Sequence, residues 1–244
     1  EIFELLKMDM QANASNEKNM ILGYLKSKGF ENNIAISDIG WAGSMQKSLK
    51  AIFNTYEIAG YYVGMTNDNM ELEKYAYLKN YEKIRPFVHL FENLFLAQHG
   101  TTLKYREKSG KYFPILDEYE YTDNEMNMIV DIQNGAIKFV TDFNINPISK
   151  IIELNSNTAF EELEEMGLNP TLKDLKLFKD MPYVETVKMN LVEGKGLITY
   201  IFDLKKCKDD FFNSGWKLGF LKNLLKIKLP YYRIYKSLLK HKEK

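Results

Sequence analysis

Two apolar runs of strand type, Ile34–Asp38 (IAISD) and Ile58–Met65 (IAGYYVGM), flank a segment, Trp41–Asn54, that carries Met45, Leu49, Ile52 and Phe53 at helical spacing. Strand, helix and strand within about thirty residues is the length of a right-handed βαβ unit, in which the crossover helix returns the chain to lay the second strand parallel to the first. Ile34–Asp38 and Ile58–Val63 are therefore expected to be adjacent parallel strands. The fold class that follows is α/β, with a Rossmann-like parallel-sheet core, added helices and a basic amphipathic C-terminal helix.

The remaining segments fit that class. Residues 1–30 read as two helices, the second starting near Ser15 and ending at Gly29. Asn67–Tyr81 reads as a loop with a short helix, and Ile84–Gln98 as an apolar helix ending at Gly100. Thr101–Arg106 and Tyr112–Leu116 are strand candidates around a Ser109-Gly110 turn, and Asn124–Phe143 is the longest helical pattern. Phe160–Met166 and Leu172–Phe178 are further helices, while Val184–Leu191 and Leu197–Leu204 alternate like strands around Glu193-Gly194-Lys195-Gly196. A domain boundary is placed near Asp180–Pro182. No internal repeat or low-complexity segment occurs.

Composition excludes several classes. The chain has 244 residues, 45% of them hydrophobic, enough for a sizeable core and too many for a disordered chain. Its 33 basic and 33 acidic residues cancel, so the whole molecule is not a polycation built for nucleic acid. One cysteine, Cys207, cannot form an internal disulfide and fits a reducing compartment, which points to a cytoplasmic location. No apolar run approaches the roughly 20 residues of a membrane helix. The chain opens at Glu1 without an initiator Met or a signal sequence, the pattern of a segment of something longer.

The charge is unevenly spread. Nine Lys or Arg fall in Gly215–Lys244 against Glu243 alone, a net +8 that leaves −8 on residues 1–214. Trp216, Phe220, Leu224 and Ile227 share a helical face in this tail, with Lys222 and Lys226 opposite and Lys217 and Lys228 intruding into the apolar arc. Pro230 ends or kinks the helix. Two readings stand: a helix on an anionic membrane surface, with Trp216, Lys217, Lys222 and Lys226 at the headgroups, or a helix docked on the acidic body. No nucleic-acid signature accompanies the lysines.

The stretch most suited to chemistry is Asp38-Ile39-Gly40-Trp41-Ala42-Gly43-Ser44-Met45-Gln46. An acidic residue ends a strand, and glycines then carry the chain into a helix whose start bears a hydroxyl. Ligands of open α/β sheets sit beyond the carboxyl ends of strands, and a helix N-terminus offers amides to a phosphate. Gly40, Trp41, Gly43, Ser44 and Gln46 are candidate phosphate or substrate contacts, and Asp38 is a candidate for holding a sugar hydroxyl or accepting a proton. The same string also reads as an ordinary strand-to-helix turn with Ser44 as N-cap. It is neither a Walker loop nor a dinucleotide fingerprint.

A second cluster runs from Phe91 to Tyr105 (FENLFLAQHGTTLKY). Glu92 and His99 would share a helix face about 10 Å apart along the axis and could flank a ligand. His99 is a candidate acid, base or phosphate contact, or simply a favourable charge at a helix end. Gln98 and Tyr105 are candidate binding residues beside it. Metal chemistry finds no support: His89, His99 and His241 lack ligand spacing with Cys207, and no HExxH or CxxC occurs. No GxSxG elbow is present, and Cys207 between Lys206 and Lys208 has no visible partner histidine. No cofactor is expected.

The strings DIGWAGSMQKSL, GYYVG, FENLFLAQHGTTLKY, YFPIL and IQNGAIKFV resemble the region that follows the phosphatase-like domain in haloacid-dehalogenase-superfamily predicted hydrolases of bacterial surface-polysaccharide clusters. The resemblance covers about residues 15–145, with an echo in Gly215–Tyr235. It implies a role in capsule or O-antigen assembly. The superfamily's nucleophile motif is DxD, and here Asp38 is followed by Ile39-Gly40, so phosphatase chemistry would belong to an upstream domain outside this chain.

On that basis residues 1–182, extendable to 204, are expected to bind a phosphorylated or nucleotide-activated sugar and to act in glycosyl transfer to a glycan acceptor. Asp38, Glu92 and His99 would be catalytic. Residues 183–214 would be a strand-rich extension and 215–244 the basic tail, which would place the protein at the inner face of the membrane. The alternative is a non-catalytic scaffold that attaches a polysaccharide enzyme to the membrane.

Overall fold

A 26-residue helix, α1 (Ile2–Ser27), opens the chain and stops where a glycine lets it. The computed structural model describes residues 2–66, 72–78, 81–147, 151, 156–185 and 187–242. They form two compact units, one of Glu1–Tyr77 with Ala97–Tyr119 and one of Leu78–Leu96 with Glu120–Lys244. The boundary expected at Asp180–Pro182 falls inside the second unit.

In the first unit α1 is one helix rather than two. No Gly or Pro interrupts Met8–Asn19, and its Ala, Met, Gln and Glu residues favour continuation through Ser15. The end is a paired-bond stop: Gly29 has φ 82°, its amide donates to Lys26 O, and the Phe30 amide donates to Leu25 O, each at 3.0 Å.

β1 (Ile34–Asp38), α2 (Ser44–Ile52) and β2 (Ile58–Gly64) realise the expected unit. The strands are adjacent and parallel, in register from Ile34 against Ile58 to Asp38 against Tyr62. β3 (Lys74–Leu78) adds a third strand beside β2, in the order β1-β2-β3. Part of Asn67–Tyr81 is thus strand rather than loop and helix, because KYAYL finds the free edge of β2; residues 67–71, 79 and 80 lie outside the described residues. β4 (Thr102–Lys108) and β5 (Lys111–Leu116) form the expected hairpin, turning at Ser109 (φ 54°) and Gly110 (φ 76°). α1 packs on this hairpin through Tyr24, whose ring centre is 4.5 Å from that of Tyr105.

The second unit is mainly helical. The helix expected over Ile84–Gln98 breaks into a 3₁₀ turn at Arg85–Phe87, α3 (Val88–Glu92) and a second 3₁₀ turn at Asn93–Phe95. Pro86 sits in the first turn, and Gln133 takes the carbonyls of Asn93 and Leu96 at 3.3 and 2.9 Å while Leu96 turns extended. α4 (Asp123–Ile145), α5 (Ser156–Leu168) and α6 (Leu172–Phe178) follow as expected, α4 and α6 each opened by a capping box. β6 (Pro182–Val184) and β7 (Lys188–Asn190) are a short antiparallel pair.

Leu197–Leu204 is not a strand. α7 (Leu197–Phe202) and α8 (Leu204–Asn213) occupy it, because a helical turn buries Tyr200 while the alternating apolar neighbours have no strand to pair with. The residues 183–214 are accordingly more helix than strand. The whole structure is mixed α/β, with β1 and β2 its parallel pair.

The tail is two helices, α9 (Lys217–Leu225) and α10 (Tyr231–Lys242), rather than one amphipathic helix. α9 ends before Pro230, at Lys226 in left-handed conformation, and Pro230 opens α10. Trp216 has no exposed surface, and its Nε1–H donates to Gly167 O at 2.9 Å. Leu218, Phe220, Leu221, Tyr231 and Tyr235 are buried with it. The apolar side of α9 is core, docked on α5, α6, α8 and the Arg85–Phe87 turn, and α10 packs on α9.

The start of α4 supplies a pH test. Glu125 accepts from Lys188 Nζ at 2.8 Å and from the Thr122 amide at 2.7 Å. The Lys188 ammonium first, and then the Thr122 amide, hold its carboxyl below the ordinary 4.5. A depressed folded value stabilises above the ordinary one and is lost as pH falls through it. Urea denaturation from pH 6 down should show stability falling below about 4.5, with Glu125→Gln flattening that limb. Thr122→Ala should cost about 1 kcal/mol at neutral pH.

Candidate functional site

The turn between β1 and α2 is the candidate site, and several of its motif residues are held by hydrogen bonds to the surrounding fold. Asp38, at the end of β1, accepts the Gly40 amide on Oδ1 at 2.8 Å. Trp41 O accepts both the amide and the hydroxyl of Thr66, at 2.8 and 3.1 Å, which fastens the turn to the chain leaving β2. Gly43 then takes the N-cap position with φ 68°, a left-handed conformation that glycine adopts at no steric cost. Ser44 is therefore the first residue of the helix, not its cap, and among the described residues no side chain caps α2. Its hydroxyl lies in the exposed part of the turn.

Gln46 corrects the expectation placed on it. It is fully buried; Nε2 donates to Ile58 O and Glu73 O, each at 2.8 Å, and Oε1 accepts from Tyr62 Oη at 3.0 Å. A residue with both ends of its amide engaged in the core does not contact a phosphate. Gly60 makes room for it, since a Cβ there would lie 2.6 Å from Oε1. Burial, and then the charge of Asp38, raise the Tyr62 hydroxyl above its ordinary value, so it stays protonated as the donor to Gln46.

The second cluster does not form the helix face expected of it. His99 is exposed, and its Nδ1 lies 3.0 Å from Gly100 O; a carbonyl only accepts, so Nδ1 is the donor of this bond. Gln98 is exposed beside it. Tyr105 packs against Tyr24 and lines a polar cavity of about 430 Å³ with Asn13, Asn16 and Glu17 of α1. Its hydroxyl is raised by burial and then by Tyr24. Glu92 belongs to the other unit, where it accepts from His89 Nδ1 at 2.9 Å. His89 Nε2 meets Glu185 at 3.0 Å and its ring stacks on Tyr183 at 4.4 Å. Both ring nitrogens are thus engaged, which makes His89 a clamp between α3 and the β6–β7 pair rather than a base. The His-x-x-Glu spacing of 89 and 92 was a legible signal; Glu185 carried none.

The lysines assigned to a membrane surface are partly committed as well. Lys217 Nζ donates to Ser214 O, and Lys222 Nζ donates to Ile227 O at 3.1 Å and lies over the Tyr231 ring. Lys226 is exposed at the helix end. Trp216 and Phe220 are buried and Leu224 is half-buried, so only the Ile227 end of the expected stripe reaches the surface.

Sequence reasoning missed a polar cavity of about 300 Å³ in the second unit, lined by Asn190, Glu193, Lys195, Lys206 and Asp210. Two of these residues are tied together by Tyr200 Oη, which accepts the Lys195 amide at 2.8 Å and donates to Asp210 at 2.7 Å. Burial first, and then the Asp210 bond, push that hydroxyl up to about 12, which keeps it a donor. A larger groove of about 780 Å³ is lined by Glu161, Glu162, Glu164 and Glu165 beside Lys83, a lining that repels anions. Among the described residues no group of His, Cys, Asp and Glu could hold a metal ion. Burial and then Asp210 raise the Cys207 thiol, so it is not an activated nucleophile.

Compared with known proteins, the chain matches no family model, and no curated protein matches it significantly.

The hydrogen bonds of Gln46 set a clear expectation. Gln46→Leu keeps the volume and leaves Tyr62 Oη without its acceptor and two carbonyls short of a donor. It should cost about 3 kcal/mol in urea denaturation, since each buried polar group left unsatisfied costs about 1–3 kcal/mol.

Proposed function

We propose that this chain is the sugar-phosphate-binding part of a bacterial surface-polysaccharide assembly protein, built on a Rossmann-like β1-α2-β2 core. The phosphate of a phosphorylated or nucleotide-activated sugar sits at the first turn of α2, and glycosyl transfer to a glycan acceptor is the reaction served. The observation that carries the reading is a helix start beyond the carboxyl end of a parallel strand pair: Gly43 turns left-handed, its N-cap position supplies no side-chain bond, and Ser44 is exposed there. The resemblance of DIGWAGSMQKSL to the polysaccharide-cluster proteins supports the same assignment.

In this reading the backbone amides and the Ser44 hydroxyl hold the phosphate. Asp38, steadied by the Gly40 amide on one oxygen, accepts a sugar hydroxyl on the other. His99, its Nδ1 on the Gly100 carbonyl, is the acid or base of the same unit. Stabilising a diphosphate leaving group in this way is a matter of preorganised donors and orientation. Glu92, bound to His89, takes no part. The protein works at the inner face of the membrane, and no helix among the described residues is long and apolar enough to cross one.

A second reading is favoured by one specific fact: Asp38, Gly43 and Gln46 all have folding roles, as they would in a non-catalytic scaffold. Titration calorimetry with a panel of nucleotide sugars and sugar phosphates separates the two. Millimolar or tighter binding is expected, weakened at least tenfold by Ser44→Ala, because a hydrogen bond to a charged group contributes about 1.5–3 kcal/mol. The melting temperature should stay within about 1 °C, since Ser44 is exposed and caps nothing. Absence of binding across the panel would leave the scaffold reading in its place.

A further inference from the structure

The exposed apolar side chains around residue 200 gather on one short segment. Leu197, Ile198, Ile201 and Phe202 of α7 share an arc of about 140°, with the buried Tyr200 on the opposite side. Leu204, at the start of α8, continues the patch. Ile198 is 74% exposed and Phe202 87%. Lys195, Lys205 and Lys208, all exposed, flank this segment along the chain, with Asp203 the one acid from residue 195 to 208. From 195 to 242 twelve Lys or Arg face three Asp, a net +9 in a chain whose total is zero.

Beside Leu204 lies an apolar cavity of about 330 Å³, walled by Phe211, Phe212, Phe220, Leu221 and Leu238, with Lys208 at its charged edge. Cys207, the chain's single cysteine, lines it too. Apolar side chains projecting among lysines, next to a cleft of hydrocarbon character, match an interface with headgroups outside and acyl chains within. A second copy would bring the same +9 against itself, so like charge disfavours self-pairing through this face.

We propose that this surface docks the chain on an anionic bilayer: Ile198, Ile201, Phe202 and Leu204 enter below the headgroups, Lys195, Lys205 and Lys208 meet lipid phosphates, and the cavity takes one hydrocarbon chain. The inference rests on the peripheral-membrane part of the proposed function and names the surface responsible. It moves the contact from the Trp216 stripe, whose Trp216 and Phe220 are buried in the core, to α7 and the start of α8.

Co-sedimentation with phosphatidylcholine vesicles, with and without 30% phosphatidylglycerol, tests it on the full chain. The protein should pellet with the anionic vesicles alone, and 0.5 M salt should weaken the binding by screening the lysines. Ile198→Asp combined with Phe202→Asp should lower the bound fraction at least tenfold, and Lys205→Glu with Lys208→Glu should do likewise. Ile137→Asp, at an equally exposed position on α4, should change nothing. Circular dichroism checks that the variants fold. In the unaltered protein, alkylation of Cys207 by N-ethylmaleimide should slow severalfold when anionic vesicles are added. Anionic binding that the α7 substitutions leave intact, without Cys207 protection, would overturn this surface and keep the membrane reading. No vesicle binding at all would overturn both. A dimer in light scattering that the α7 substitutions abolish, without lipid preference, would make the face a self-association surface, and duplex-DNA binding unaffected by them would assign the lysines elsewhere; each defeats the proposal.

Discussion

The amide of Gln46 ties the first unit together. One side chain joins α2 to the β2 backbone, to the carbonyl ahead of β3 and to Tyr62, so three elements share a single donor–acceptor group. In a buried setting such a group must be fully satisfied, and all its partners then have to be in place at once. The consequence reaches the turn. With α2 anchored one turn in, its first residues are held at the end of β1, and Gly43 has to supply the left-handed step that joins them. The position of Ser44 and of the open helix start is therefore a product of a core hydrogen-bond network rather than of the turn alone.

Trp216 plays the corresponding part in the second unit. Its indole N–H reaches Gly167 O, and Gly167 is packed so closely on Phe87 that a Cβ would lie 2.4 Å from that ring. Gly219 meets the other side of the indole, with a Cβ placed 2.6 Å from it. Gly219 thus makes room for the indole itself, and Gly167 for the Phe87 ring beside the carbonyl that the indole bonds. Indole burial accounts for the tail's behaviour: a tryptophan with its N–H satisfied and its faces packed has no reason to leave for a lipid interface.

What the sequence made legible follows from the range of the forces involved. The βαβ unit, the Ser109-Gly110 hairpin, the α4 capping box region and the stop at Gly29 rest on local spacing and turn chemistry, and these appear in a single string. The misplaced elements rest on distant partners. Leu197–Leu204 alternates like a strand, yet Tyr200 is drawn down by Asp210 and the segment coils into a helix. Ile84–Gln98 has helical periodicity, yet Asn93 and Leu96 give their carbonyls to Gln133 forty and thirty-seven residues away. Gln46 looked like a ligand contact because it follows glycines and a serine; its real partners at 58, 62 and 73 could not be inferred from spacing. Glu92 was paired with the wrong histidine for the same reason.

The charge of the C-terminal region was read correctly and its geometry was not. A stripe of Trp216, Phe220, Leu224 and Ile227 with opposing lysines has the form of an interfacial helix, but periodicity cannot say whether an amphipathic face meets lipid or protein. In a folded chain the core takes the best apolar surface first, because removing large side chains from water is favourable whichever apolar partner receives them. Apolar side chains left outside after that competition are the informative ones. Here Trp216 and Phe220 went inward, together with Leu218 and Leu221, while Ile198, Ile201 and Phe202 remained in solvent among lysines. A basic surface whose two largest apolar side chains, Trp216 and Phe220, are buried would need another source of apolar anchorage to hold a membrane, and α7, with Tyr200 turned inward, presents one.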